Sequence, residues 1–134
     1  MRKSQYFISS IFILLLFFTS CKKNVENRID GMWRKVNVIN MNSDTFENWS
    51  FDGKYLFILR TIGGSQHYDT LGYGGYTIKA SPFRKQLIMN DDFNILYYSM
   101  SPTWSIQKLT SKILTLYRPY PGNAGSEYLE FTKQ

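Results

Sequence analysis

Residues 49–59, Trp49-Ser50-Phe51-Asp52-Gly53-Lys54-Tyr55-Leu56-Phe57-Ile58-Leu59, set an Asp-Gly pair between two apolar runs rich in β-favouring residues. Asp-Gly tolerates the positive φ angles that a tight hairpin demands, so the pattern predicts two antiparallel strands joined at this point. A two-residue loop at Asp52-Gly53 would place Trp49 opposite Leu56 and Ser50 opposite Tyr55. Tyr55 to Leu59 is apolar on both faces, which fits a strand covered on both sides or one that turns a face to a partner or a ligand.

Upstream, Met32 to Asn40 is a strand candidate in which Val36 and Val38 share a face with Arg34, while Trp33 falls on the other face with Lys35 and Asn37. This imperfect alternation implies either a bulge that shifts the register or a Trp33 that closes the end of a barrel instead of lying in its wall. Downstream, Gly63-Gly64-Ser65 predicts a turn, Gln66 to Leu71 a polar edge-like strand, and Gly72-Tyr73-Gly74-Gly75 a second turn. Tyr76, Ile78 and Ala80 alternate with Thr77 and Lys79 up to Ser81-Pro82, and Gln86 to Met89 makes a short strand that stops at Asn90-Asp91-Asp92. Phe93 to Met100 is a further strand. Trp104 to Gln107 and Ile113 to Tyr117 form a hairpin around Thr110-Ser111-Lys112 with Leu109 under the turn, and Leu129 and Phe131 lie in a closing strand. Eight or nine short strands without an amphipathic helix predict an all-β domain: a small antiparallel up-and-down barrel of about eight strands, with a two-sheet sandwich as the alternative.

The N-terminus decides where such a domain works. Arg2 and Lys3 precede a mostly apolar core from Tyr6 to Phe18, followed by the small residues Thr19 and Ser20 and then Cys21, the only cysteine in the chain. The unbroken apolar run, Ile11 to Phe18, is far shorter than the roughly 20 residues of a spanning helix. Phe18-Thr19-Ser20-Cys21 resembles the lipobox of bacterial lipoproteins, with Phe18 in place of the usual leucine. The resemblance implies removal of residues 1–20, acylation of Cys21 and attachment to the membrane. Lys22 to Asp30 is polar and short, so residues 21–30 are expected to form the lipidated cysteine and a tether, and residues 31–134 the β domain. One cysteine makes no internal disulfide, and the fold must stand on its core.

Without residues 1–20 the chain has 14 Lys and Arg against 10 Asp and Glu. That mild excess of about +4, without a clustered basic face interleaved with aromatics, argues against nucleic acid as a partner. Lys22, Lys23 and Arg28 stand close to the expected anchor, where anionic headgroups attract them.

The domain resembles the lipocalin-like domains carried by many lipoproteins of Gram-negative Bacteroidota. Gly31-Met32-Trp33 is similar to the lipocalin Gly-x-Trp, and Phe51-Asp52-Gly53-Lys54-Tyr55, Tyr76-Thr77-Ile78, Trp104 to Leu109 with Leu114 and Leu116, and Tyr128-Leu129-Glu130-Phe131 follow in order. The resemblance implies a calycin-type barrel that binds a small hydrophobic ligand without catalysis. Its departures are a short domain and basic residues after Cys21, in place of the acidic ones that resemble a surface-export signal, so the expected place is the outer membrane, facing the periplasm.

Catalytic and metal chemistry find little support in the residues. His67 is the only histidine, and no paired His or Cys spacing accompanies it. His67 and Asp69 lie on the expected edge strand without a nucleophile elbow, and Asp91-Asp92 reads as a turn. No enzyme activity, cofactor or metal is expected. The aromatics have two readings: Trp33, Tyr76, Trp104 and Phe131 fill a small barrel, or Trp33, Tyr76, Tyr97 and Trp104 line a cavity for a small apolar ligand. A non-catalytic interaction module for another envelope protein is the alternative function.

Overall fold

The computed structural model describes residues 21–36, 44–63, 67–95, 103–120, 122 and 125–134. A helix, α1 (residues 21–29), precedes β1 (Gly31–Lys35), β2 (Thr45–Phe51), β3 (Tyr55–Ile62), β4 (Tyr68–Ala80), β5 (Lys85–Met89) and β6 (Asn94–Ile95). β7 (Thr103–Leu109), β8 (Ile113–Pro119) and β9 (Ser126–Lys133) follow. All strand pairs are antiparallel. The order β1-β2-β3-β4-β5-β7-β8-β9 returns to β1 through the β1–β9 pairing, so eight strands close an up-and-down barrel of lipocalin-like form. Closure excludes the sandwich, and β6 only prolongs β5 along the same edge of β4.

Cross-strand partners share a face, which identifies the interior directly. Trp33 pairs with Trp49 and Trp49 with Ile58; Ile78 pairs with Leu87 and Leu87 with Trp104; Leu114 and Leu116 pair with Phe131 and Leu129. All of these are buried. Each such large side chain, fully buried, contributes roughly 1.5–3 kcal/mol to folding. Leu56 and Ile58 therefore point inward, while Tyr55 and Phe57 stand on the outer wall, the first exposed and the second half-buried.

Four sequence expectations are corrected. The β2–β3 hairpin turns around Gly53-Lys54, not Asp52-Gly53. Its register is displaced by two residues, so that Phe51 faces Leu56 and Trp49 faces Ile58. The cause is the Asp52 carboxylate, whose Oδ1 accepts the Lys54 and Tyr55 amides at 3.0 and 2.6 Å, leaving Gly53 at φ 87° in the first central position, as in a type II′ turn. A displacement of two preserves which side chains face inward.

Gly72 to Gly75 is not a turn. It lies inside the 13-residue β4, which the sequence had divided into an edge strand, a turn and a second strand. The glycines are there for close approach: a Cβ on Gly74 would stand 2.4 Å from Phe93 Cα.

Trp33 lies in the barrel wall on the inner side, with no register shift along β1, so neither a bulge nor an end-closing position explains its alternation. Residues 22–30, expected as a polar tether, are helical through residue 29, with Val25 and Ile29 buried one turn apart against the core. The helix packs on the barrel end that carries the β2–β3, β4–β5 and β7–β8 turns. Trp33 Nε1 donates to the Ile29 carbonyl at 2.6 Å, occupying a carbonyl that the helix leaves unpaired, and Lys133 Nζ donates to the Arg28 carbonyl at 3.2 Å.

Candidate functional site

The interior is built around Trp49. Its ring centroid lies 4.9 Å from that of Phe131 and 6.4 Å from those of Phe51 and Trp104, and Phe51 meets Tyr76 edge-on at 5.2 Å. Trp49 and Trp104 come from strands on opposite sides of the barrel, so their contact crosses the lumen. Trp33, Trp49 and Phe131 are 0% exposed and Trp104 is 1% exposed.

Two donors in this layer have no hydrogen-bond partner among the described residues, Tyr76 Oη and Trp104 Nε1. Burial pushes the Tyr76 phenol up to about 12; the Asp30 carboxylate adds to the rise, and the nearby Gly53 backbone opposes it.

At the end away from α1 the inner faces become charged. The same alternation that buries Trp33, Trp49, Ile58, Leu116 and Leu129 brings Lys35, Glu47, Arg60, Arg118 and Glu127 to this rim. They pair between neighbouring strands: Lys35 with Glu47 at 3.4 Å, Arg60 with Asp69 at 3.1 Å and Arg118 with Glu127 at 2.6 Å. Arg118 is the most enclosed of the cations. Its guanidinium lies 4.8 Å from the Trp104 ring centroid and 5.1 Å from that of Tyr120, and the Tyr120 hydroxyl donates to Glu127 Oε2 at 3.1 Å. This rim covers the aromatic layer with charge-assisted bonds and a cation over an indole.

Of the residues singled out from sequence, Trp33, Tyr76 and Trp104 are all core members, and Tyr97 lies outside the described residues. Cys21 stands apart from them, half-buried at the start of α1, with Sγ 3.7 Å from the Ser81 carbonyl in the β4–β5 turn. Trp49, which joins the other aromatics, was read only as a hairpin strand residue. Its inward direction depends on the register. The Arg118–Glu127 pair was missed as well, although Leu114, Leu116 and Arg118 follow one alternation. Among the described residues no three His, Cys, Asp or Glu side chains gather to hold a metal, and no helix is long and apolar enough to cross a membrane.

Comparison with family models, with curated proteins and with solved structures finds no match to this chain.

Proposed function

We propose that the protein is a non-catalytic lipoprotein of a bacterial envelope, held at the outer membrane through acylated Cys21 and facing the periplasm. In this reading its barrel is an interaction module that meets another envelope protein with its outer surface. The supporting observation is the aromatic layer: Trp33, Trp49, Trp104 and Phe131 occupy with their own rings the level at which a small barrel would otherwise hold a ligand. Exposed aromatics on the wall, Tyr73 at 54% and Tyr128 at 64%, supply the residue type that protein interfaces favour.

A second reading, binding of a small hydrophobic ligand with a polar group, has its own support in the unpartnered Tyr76 Oη and Trp104 Nε1. Buried donors of this kind are normally satisfied by protein, water or ligand. Titration of the chain from Lys22 onward, which carries the barrel and all but the first residue of α1, with a fluorescent fatty-acid analogue separates the two. The interaction module predicts no saturable binding. Saturable binding that Trp104→Phe weakens more than it lowers stability would overturn it in favour of the ligand.

A further inference from the structure

We propose that the α1 end of the barrel is a docking face for an anionic lipid bilayer, with Phe83 as its apolar wedge; this rests on the reading that Cys21 carries the anchor. Phe83, at the tip of the β4–β5 turn, is 99% exposed. Nothing in the folding of the barrel calls for a phenylalanine there, whereas an aromatic ring flanked by cations suits the boundary between headgroups and acyl chains. Arg84 and Lys85 follow it in the chain and Lys79 lies near the end of β4 just before the turn; all three are exposed. The 3.7 Å approach of Cys21 Sγ to the Ser81 carbonyl brings the start of α1, with exposed Lys22 and Lys23, to the same turn.

Charge is divided along the barrel axis. The α1 end also carries Arg28, Lys54, Lys108 and Lys112, against the acids Glu26, Asp30 and Asp52 alone, and Glu26 is paired with Lys22 at 3.5 Å. At the opposite end the acids outnumber the cations: Asp44, Asp69, Asp91, Asp92, Glu47 and Glu127 stand there against Lys35, Arg60 and Arg118, which are all taken up in the rim pairs. A net charge of only about +4 for the domain thus conceals a strongly basic pole, and that pole is the one that holds Cys21. Beside Phe83 a groove of about 290 Å³ runs between the turn and β7, with Arg84, Lys85, Ser105 and Gln107 on its walls. Its donors match a phosphate headgroup, and the anionic surface potential of a bilayer attracts the surrounding cations. Because α1 is packed on the core, the domain has no loose spacer between Cys21 and this face, so the two reach the membrane together.

The test uses the full-length protein, purified from membranes and reconstituted in vesicles of phosphatidylethanolamine and phosphatidylglycerol with brominated acyl chains. After subtraction of the wild-type emission from Trp33, Trp49 and Trp104, Phe83→Trp should add a blue-shifted component that the bromines quench several-fold more than the component added by Tyr128→Trp, which reports the side wall. Replacing phosphatidylglycerol with phosphatidylcholine, or adding Arg84→Glu and Lys85→Glu, should abolish the difference. Equal, weak quenching of the two reporters in anionic vesicles would overturn the docking face. Intact mass measured on the same preparations reports acylation separately. Acylated protein without Phe83→Trp quenching sinks the docking and spares the anchor, whereas quenching in protein that lacks acyl mass sinks the anchor and spares the docking.

Discussion

Gly74 and Tyr76 carry the clearest consequences at the scale of single residues. Gly74→Val would drive a side chain into Phe93, whose Cα stands 2.4 Å from the position of the new Cβ, and the two backbones cannot separate without breaking the β4–β6 pairing. The expected cost is about 1–3 kcal/mol, read from urea unfolding. Tyr76 has the opposite character. Its hydroxyl has no partner among the described residues, so Tyr76→Phe should change stability at neutral pH by less than about 1 kcal/mol. Its phenol is raised from 10.0 to about 12, mainly by burial, which favours the neutral form in the folded protein. The stability tied to that neutral form is full below pH 10 and is lost as the pH rises towards about 12. A melting series from pH 8 to 12 should therefore fall less steeply above pH 10 in Tyr76→Phe than in the wild type.

At the scale of elements, α1 and the β2–β3 hairpin make separate predictions. α1 has nine described residues, too short to persist alone, so its helicity comes from the burial of Val25 and Ile29 on the barrel. Ile29→Ala should cost about 2–5 kcal/mol and loosen the helix over Trp33, visible as a red shift in tryptophan emission. An unchanged emission would mean that the helix does not depend on this contact. In the hairpin, the Tyr55 and Lys54 amides hold the Asp52 carboxyl below its usual range. A depressed carboxyl stabilises the fold above its unfolded pKa of about 3.8, and the contribution disappears as the pH falls through the folded value. Asp52→Ala should lower the melting temperature at pH 6, and the difference from wild type should shrink towards pH 2. The same hairpin marks a limit of sequence reading. Asp-Gly located the turn, but the side-chain acceptor that moved its centre by one position acts through geometry that residue types do not encode.

For the molecule as a whole, the anchor governs everything proposed about place. Cys21→Ser should abolish incorporation of labelled fatty acid and release the protein from the membrane fraction, whereas equal labelling of mutant and wild type would remove the envelope reading. The barrel itself should survive, because the 3.7 Å contact of Cys21 Sγ with Ser81 is the only hydrogen bond found for that side chain among the described residues.

The alternation of Tyr76, Ile78 and Ala80, the Asp-Gly signal and the apolar pairs of β8 and β9 were enough to determine an all-β domain of about this number of strands. Each is a local property, set by period-two burial and turn chemistry. What the chain order could not reveal was anything that depends on which strand lies across the barrel. The contact of Trp49 with Trp104 joins residues 55 positions apart, and the Gly72–Gly75 run reads as a turn until Phe93 is seen packed against it. Val25 and Ile29 are a weak apolar pair in a polar segment, and only a barrel end that needed covering made them a helix. The basic pole likewise exists only in three dimensions, because closure gathers cations from α1 and from the β4–β5 and β7–β8 turns at one end.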